Sequence, residues 1–254
     1  MTFQRLTARS VSKPWGITDP PMDAATLLVK YLFTSEKLSV QVHPAYAEGR
    51  AVGLPRGKSE CWYVVEADTD SRPGIALLAD IDAAEVSSTA LDETLQDLPE
   101  WMPVCAGSFL CISAGTIHAI GAGLQIVRIQ QRVDVTYRLY DYGRPRELHL
   151  ERGLAKAQLG PYTRPERTIS ANEHECLVEP GIAPFSVESI VGADGDTFTL
   201  ADDVSWFEPI KGHGLIDGRR WTAEECSVSD GPCNVAGEGS MHALVARTSS
   251  QVRG

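Results

Sequence analysis

The stretch LSVQVHPAYAEGRAVGLPRGKSECWYVV, residues 38–65, holds two apolar runs separated by a segment rich in glycine and proline. Apolar runs of this length between turn-forming residues are typical of β-strands. In a strand, alternate side chains share a face, so Gln41 and His43 point to one side and the neighbouring valines to the other. The first strand therefore presents an amide and an imidazole on one face of a sheet.

The second run begins with a charged residue on an otherwise apolar face. Glu60, Trp62 and Val64 alternate and therefore point the same way. A buried carboxylate is unfavourable unless it is paired with a cation or binds a metal. The strand is thus expected to bring one negative charge to the interior of a sheet or barrel.

A third segment, GSFLCISAGTIH (107–118), places His118 after a turn that contains Gly115 and follows a strand. With the two strands above, the chain offers one amide oxygen, two imidazoles and one carboxylate. Two imidazoles with oxygen donors suit zinc or another borderline divalent ion.

Short runs rich in valine, isoleucine, leucine and tyrosine continue along the chain between glycine, proline and aspartate, which predicts a mainly β protein, a sandwich or a barrel. The further runs of the first half are TLLVKYLF (26–33), GIALLAD (74–80), SFLCIS (108–113), LQIVRIQ (124–130) and VTYRLYDY (135–142). Apolar residues three or four apart predict one or two helices over 80–101, as an excursion between strands. A short helix is expected over 151–159.

A polar segment with two prolines follows the second helix and is the best candidate for a linker. We therefore predict a metal-binding domain over 1–160, a linker over 161–175 and a smaller β domain over 176–254.

Composition limits the function. The net charge of −11 argues against non-specific binding to nucleic acid or to anionic membranes. The six cysteines form no CxxC pair, which is typical of reduced thiols. The N-terminal segment lacks the apolar core of a signal peptide, and no stretch approaches the ~20 apolar residues of a membrane span. A cytoplasmic protein is expected.

The motifs resemble those of a known family. Gln41 and His43 in QxH, Glu60 at a strand start, and the 107–118 segment resemble the two cupin motifs, with Ser113 where the second motif has proline. More narrowly, five segments in order are similar to the class I mannose-6-phosphate isomerases in their short bacterial form: SVQVHP, GKSECWYVV, AGTIHAIGAG, VTYRLYDYGR and RELHLE. KPWG (13–16) also resembles that family's N-terminal motif.

The resemblance implies a cupin-type β-barrel, or jelly roll, followed by a second, smaller, degenerate cupin-like β domain. It implies a zinc-dependent isomerase that interconverts mannose 6-phosphate and fructose 6-phosphate by proton transfer through an enediol. One Zn²⁺ would be held by the four side chains named above: Gln41, His43, Glu60 and His118.

The resemblance also suggests three catalytic residues. Arg138 matches the arginine that the family is thought to use and would stabilise the enediolate. Lys58 matches a family lysine and is the acid/base candidate. Asp134 matches the aspartate before the catalytic arginine and would orient it.

One departure keeps other functions open. Arg128 stands where relatives usually have glutamate, which reverses a charge in the segment. The alternatives are an isomerase of another sugar phosphate and a non-catalytic, metal-containing, sugar-binding cupin. A cupin oxygenase is disfavoured, because Gln41 stands in place of a third imidazole.

Overall fold

The computed structural model describes residues 3–6, 10–14, 16–19, 26–163, 167–169, 173–200 and 203–248. Trp15 of the KPWG motif, and residues 164–166 and 170–172 of the expected linker, lie outside these ranges. Within them, no helix has both the length and the apolar character needed to cross a membrane.

The chain divides into two compact units. The first comprises residues 12–18 and 31–167, and the second comprises 1–11, 19–30 and 168–254. The predicted boundaries at 160 and 176 stay predictions. The N-terminal 30 residues are shared between the units, a feature that no sequence pattern indicated.

Mainly β structure, predicted from the apolar runs, is confirmed. The strands before residue 100 are β1 (Phe3–Arg5), β2 (Val11–Lys13), β3 (Gly16–Asp19), β4 (Leu27–Thr34), β5 (Val40–Val42), β6 (Glu60–Ala67) and β7 (Gly74–Leu77). Those that follow up to the second unit are β8 (Pro99–Trp101), β9 (Ser108–Ile112), β10 (His118–Ala119), β11 (Leu124–Gln131), β12 (Tyr137–Tyr140) and β13 (Arg167–Thr168). The helices are α1 (Tyr46–Ala51), α2 (Ala83–Leu91) and α3 (Leu150–Leu154), with a 3-10 turn at Leu95–Asp97.

Two sheets, built mainly from residues of the first unit, form its barrel. One has the strand order β12-β5-β10-β7-β8, and the other has the order β13-β9-β6-β11-β4-β3-β2. Side chains from both sheets meet in one buried cluster, which includes Trp62 and Val64 of β6, Ile126 of β11 and Ile75 of β7. This cluster is the barrel interior, so the inward faces of β6 and β11 are fixed by their apolar residues.

The helical excursion covers the outer face of the five-stranded sheet. Val86 and Ala90 of α2 pack in a second buried cluster with Val40 and Val42 of β5. Asp82 caps α2, since its side chain accepts a hydrogen bond from the backbone N–H of Glu85. Because both valines of β5 point outward, the alternating residues of that strand point into the barrel.

The second unit repeats the two-sheet plan at smaller size. A six-stranded sheet has the order β1-β20-β17-β22-β15-β14, and a four-stranded sheet has the order β16-β21-β18-β19. Trp221, Phe207 and Ile190 belong to its buried cluster. Its further strands are β14 (Glu175–Val178), β15 (Phe185–Gly192), β16 (Thr197–Leu200), β17 (Ser205–Lys211), β18 (His213–Ile216), β19 (Arg219–Thr222), β20 (Ser227–Ser229), β21 (Cys233–Gly237) and β22 (Met241–Thr248). The expected smaller cupin-like β domain is thereby confirmed as a fold.

Two helix predictions are wrong in extent. Residues 99–101 form strand β8, because they pair with β7 instead of continuing the helical excursion. The helix expected over 151–159 is the shorter α3, Leu150–Leu154, and Gln158 instead forms a parallel bridge with Thr116.

Candidate metal centre

Three strands of the first unit bring four polar side chains to the barrel interior. Gln41 lies in β5 with His43 just beyond its end, Glu60 opens β6, and His118 opens β10. His118 pairs directly with Gln41 across the β5–β10 ladder. The backbone N–H of Gly115 donates to the carbonyl of His43 at 2.8 Å, which ties the turn before His118 to the end of β5. These four residues, Gln41, His43, Glu60 and His118, are called the cage below.

Three cage residues lie close enough to share one ion. The Nε2 atom of His43 is 3.5 Å from Glu60 Oε2, and the Nε2 atom of His118 is 3.7 Å from Glu60 Oε1. One donor atom from each residue lies within 4.8 Å of the other two. All three side chains are buried. The structure therefore brings together two imidazoles and one carboxylate that were predicted from separate segments.

The cage contains polar atoms without hydrogen-bond partners. Both ring nitrogens of His43 and Oε2 of Glu60 are buried and make no hydrogen bond. A buried polar group without a partner is unfavourable by about 1–3 kcal/mol. A divalent cation accepting a lone pair from His43 and from Glu60 would satisfy two of these three atoms, so the residues present fit a metal ion.

His118 is held in the tautomer that a metal ligand needs. Its Nδ1–H donates to the carbonyl of Thr116 at 2.9 Å, so the lone pair lies on Nε2 and faces Glu60. A second contact of this kind fixes the ring orientation of metal-binding histidines generally.

Gln41 completes the cage. Its amide nitrogen lies 3.1 Å from His118 Nε2, and its amide oxygen accepts a hydrogen bond from the hydroxyl of Ser39 at 3.1 Å. Rotating the amide by 180° would place the oxygen beside His118 and leave Ser39 as an acceptor, because a hydroxyl group can donate or accept. Gln41 can therefore present an oxygen ligand without loss of its anchor.

The electrostatics of the cage favour ligand forms of these side chains. Burial lowers the pKa of His43 well below its ordinary value and also lowers the pKa of His118, so both rings are neutral near pH 7. Burial opposes ionisation of Glu60, but the charge of Arg128 and the contact with His43 outweigh it and hold the pKa of Glu60 well below its ordinary value. Neutral imidazoles and an ionised carboxylate are the forms that bind zinc.

Lys58 lies beside the cage with its amine buried. Its Nζ donates to the carbonyl of Val135 at 3.1 Å and to the hydroxyl of Thr136 at 3.3 Å. Burial, with smaller contributions from the charges of Arg128 and Arg138, lowers the pKa of Lys58 against the opposing effect of Glu60, and the net value is about 8.

The other two predicted catalytic residues, Arg138 and Asp134, lie in different surroundings from each other. Arg138 pairs with Gln41 across the β5–β12 ladder, so its side chain starts on the inward face beside the cage. Asp134 is exposed, and its negative charge raises the pKa of Lys58. The roles of Lys58, Arg138 and Asp134 stay predictions.

Two residues of the site had no assigned role in the sequence reasoning. Trp62 donates a 2.8 Å hydrogen bond from Nε1 to Glu60 Oε1. Arg128, noted only as a departure, lies with its Nη1 atom 3.6 Å from the same oxygen. The register of β11 on β6, which pairs Arg128 with Trp62, puts the guanidinium next to the cage. Only strand pairing could have revealed that contact.

A large cavity of about 1400 Å³ lies in the first unit and shares no residue with the cage. It is bordered by the β4–β5, β6–β7 and β10–β11 connections, at the ends of those strands remote from the cage, and its lining includes Lys37, Asp68, Arg72 and Trp101.

Fold and site together define a cupin-type β-barrel protein whose interior carries a cluster suited to a divalent metal. About half of the chain is similar in sequence to mannose-6-phosphate isomerases, as its motifs predicted. It is 37% identical over 143 residues to mannose-6-phosphate isomerase of Streptococcus mutans serotype c, covering 53% of this chain and 44% of that protein. It is 38% identical over 141 residues to mannose-6-phosphate isomerase ManA of Bacillus subtilis, covering 52% and 44%. No family model matches.

Solved structures show the same fold. The crystal structure of mannose 6-phosphate isomerase from Bacillus subtilis matches with a TM-score of 0.76 at 18% identity, over 96% of this chain and 98% of that one. The structure of a putative mannosephosphate isomerase from Archaeoglobus fulgidus matches with a TM-score of 0.74 at 13% identity, over 97% of both chains. In sequence, however, the matches span less than half the length of the curated relatives.

Proposed function

We propose that this protein is an aldose–ketose isomerase that interconverts mannose 6-phosphate and fructose 6-phosphate, with one zinc ion held by the cage. The observation that carries the proposal is the buried set of unsatisfied donor atoms on His43 and Glu60, beside the correctly oriented His118. The sequence relationship to mannose-6-phosphate isomerases supplies the substrate.

The reaction moves a proton between C1 and C2 of the open-chain sugar and passes through an enediol. A bound divalent cation would polarise the sugar oxygens and offset negative charge that develops on them. The protein residues must then hold the chain, move the proton and stabilise the oxyanion.

The proposal assigns these tasks to three side chains. Lys58 is the acid/base candidate, because its amine is buried beside the cage and anchored by Val135 and Thr136. Arg138 starts on the inward face opposite Gln41 and would stabilise the enediolate oxygen. Asp134, which is exposed, would act on Lys58 through its negative charge.

The test is a coupled assay for conversion of fructose 6-phosphate into mannose 6-phosphate by zinc-loaded protein. We expect turnover that a chelator abolishes and zinc restores. Arg138→Ala is expected to lower kcat by about 100-fold or more, the usual effect of losing one oxyanion donor. Exposed Arg219 in the second unit provides a matched control as Arg219→Ala, which should keep the wild-type rate.

A non-catalytic sugar-binding protein is the second candidate. The observation in its favour is Arg128, whose guanidinium lies 3.6 Å from Glu60 Oε1 and competes with a cation for that oxygen. If zinc-saturated protein binds the sugar phosphate but never converts it, this alternative is established and the isomerase is excluded. An oxygen-electrode measurement of the metal-loaded protein in the same experiment would detect the disfavoured oxygenase.

A further inference from the structure

After a metal is allowed for, one ring nitrogen of His43 and two buried polar atoms next to the cage remain without partners. The two atoms next to the cage are Nε of Arg128, a donor, and Oε1 of Gln130, an acceptor. Arg128 is 7% exposed and Gln130 is 1% exposed, so water at the surface does not satisfy them. A donor and an acceptor left unpaired in a buried site point to a ligand that supplies both complements.

Both atoms face the same space. Arg128 and Gln130 are two residues apart in β11 and therefore share a face. Arg128 pairs with Trp62 and Gln130 pairs with Glu60 across β6. Trp62 lies in the interior cluster and its indole bonds to Glu60, so this is the inward face. The two side chains form one wall of the chamber that contains the cage.

Each side chain keeps one polar atom that its neighbours do not use. Arg128 forms an ion pair with Glu60 through Nη1, which lies 3.6 Å from Glu60 Oε1, beyond hydrogen-bond distance, and its Nε remains unpaired. The amide nitrogen of Gln130 makes one long contact of 3.4 Å with the carbonyl of Gln131, which leaves the amide oxygen free.

The local charge favours an anion. The positive charges of Arg128 and Arg138 both act on Lys58, as do the carboxylates of Glu60 and Asp134. A metal dication would add further positive charge. A guanidinium N–H selects an anionic oxygen, and an amide oxygen selects a hydroxyl hydrogen. A ligand that carries both an anionic oxygen and a hydroxyl group would complement these two atoms.

We propose that Arg128 and Gln130 bind the end of the sugar phosphate that lies at the cage, Arg128 to an anionic oxygen and Gln130 to the neighbouring hydroxyl. The inference rests on the proposed function for the sugar-phosphate class and deepens it. It assigns a preference for ligands whose cage-proximal end is a 2-hydroxycarboxylate or an enediolate, in other words phosphorylated sugar acids and the reaction intermediate, over neutral sugar alcohols.

The test compares two probes that differ only at that end: an aldonic acid 5-phosphate and the corresponding alditol 5-phosphate, each of five carbons. Calorimetric titration of zinc-loaded wild type should show the aldonate binding about tenfold more tightly or better, as expected for one charge-assisted hydrogen bond. Arg128→Gln should remove most of this preference by weakening aldonate binding, with the alditol affected by about twofold or less. Arg128→Lys should retain part of it, because the charge stays while the fork geometry is lost.

Two controls keep the result specific. Zinc content is measured for every variant, so that loss of the cage is not mistaken for loss of the anion contact. Arg132→Gln changes an exposed arginine just beyond β11 and should leave both affinities at the wild-type level.

The outcomes separate this inference from the proposed function. Equal binding of the two probes, or equal loss for both in Arg128→Gln, overturns the inference and leaves the isomerase proposal standing. An aldonate preference that depends on Arg128, in a protein without isomerase turnover, supports the inference and overturns the isomerase. If neither probe binds zinc-loaded wild type, the inference is wrong, and the coupled turnover assay alone decides the isomerase proposal.

Discussion

Removing the charge of Arg128 is the most informative perturbation of metal-free protein, because that charge is the main favourable influence on ionised Glu60. The two groups are 3.6 Å apart and almost fully buried. At an effective dielectric constant of about 20, two unit charges about 4 Å apart attract each other by about 4 kcal/mol. Breaking such a buried pair by removing one partner typically costs about 3–5 kcal/mol. We therefore expect Glu60→Gln and Arg128→Gln each to destabilise the chelated protein by about 3 kcal/mol.

The double variant decides whether the pair is coupled. When both charges are absent, no unpaired charge remains, so the loss in Glu60→Gln/Arg128→Gln should be smaller than the sum of the single losses by about 2 kcal/mol or more. The assay is thermal unfolding in chelator, where 3 kcal/mol corresponds to roughly 6–12 °C for a chain of this size. Losses that add within about 0.5 kcal/mol would show that the two side chains do not interact, and the reasoning about the cage charge would then be refuted.

Arg128→Gln is expected to be less stable than wild type without metal but to bind zinc more tightly. The guanidinium repels a cation bound at Glu60, so its removal is expected to tighten zinc binding by about tenfold or more, although it destabilises the metal-free protein. Competition with a chromophoric chelator measures the zinc affinity directly. An unchanged or weaker zinc affinity in Arg128→Gln would contradict the geometry.

Three further predictions use other residues. His43→Gln should reduce the zinc content well below one ion per chain, whereas His213→Gln, at an exposed histidine of the second unit, should leave it unchanged; atomic absorption measures both. Gly115→Ala should destabilise the protein by more than the ~1–2 kcal/mol that a left-handed backbone costs an alanine, because φ is +88° and the added Cβ would also lie 3.2 Å from the carbonyl oxygen of Lys156. Gly143→Ala, at φ +71° with open space around the added Cβ, should show only the backbone strain in the same unfolding assay. Burial lowers the pKa of His242 in the folded protein, so the unfolded chain binds a proton there more readily than the folded one. The free energy of unfolding should therefore fall as the pH drops below about 6.5, and should fall less in His242→Gln, as measured by denaturation at pH 7 and pH 5.

Side-chain alternation in single strands was the most reliable guide that the sequence offered. The face shared by Gln41 and His43 follows from the period of a strand, and the burial of Val40 and Val42 on the opposite face agrees with it. The fold class could also be predicted, because short apolar runs between turn residues recur along the chain.

Other features depend on pairing between strands and could not be read from one segment. Residues 99–101 have a helix-like context, yet pairing with β7 makes them a strand. Helix α1 (Tyr46–Ala51) was missed because it is short and interrupted by Gly49. That glycine lets the backbone of Arg56 come close, since a Cβ added at Gly49 would lie only 2.6 Å from the carbonyl oxygen of Arg56. At residues 99–101, pairing with a distant strand overrides the local preference for a helix.

The position of Arg128 couples the metal to the organic ligand. A cation at the cage and the guanidinium repel each other, and an anionic group bound by Arg128 would offset that repulsion. By linkage, a ligand that binds more tightly when zinc is present must tighten zinc binding by the same factor. Zinc titration with the aldonate 5-phosphate present should therefore give a higher affinity than titration without it, and Arg128→Gln should abolish most of the difference. If the aldonate leaves the zinc affinity of wild type unchanged, the anion does not bind between Arg128 and the cage.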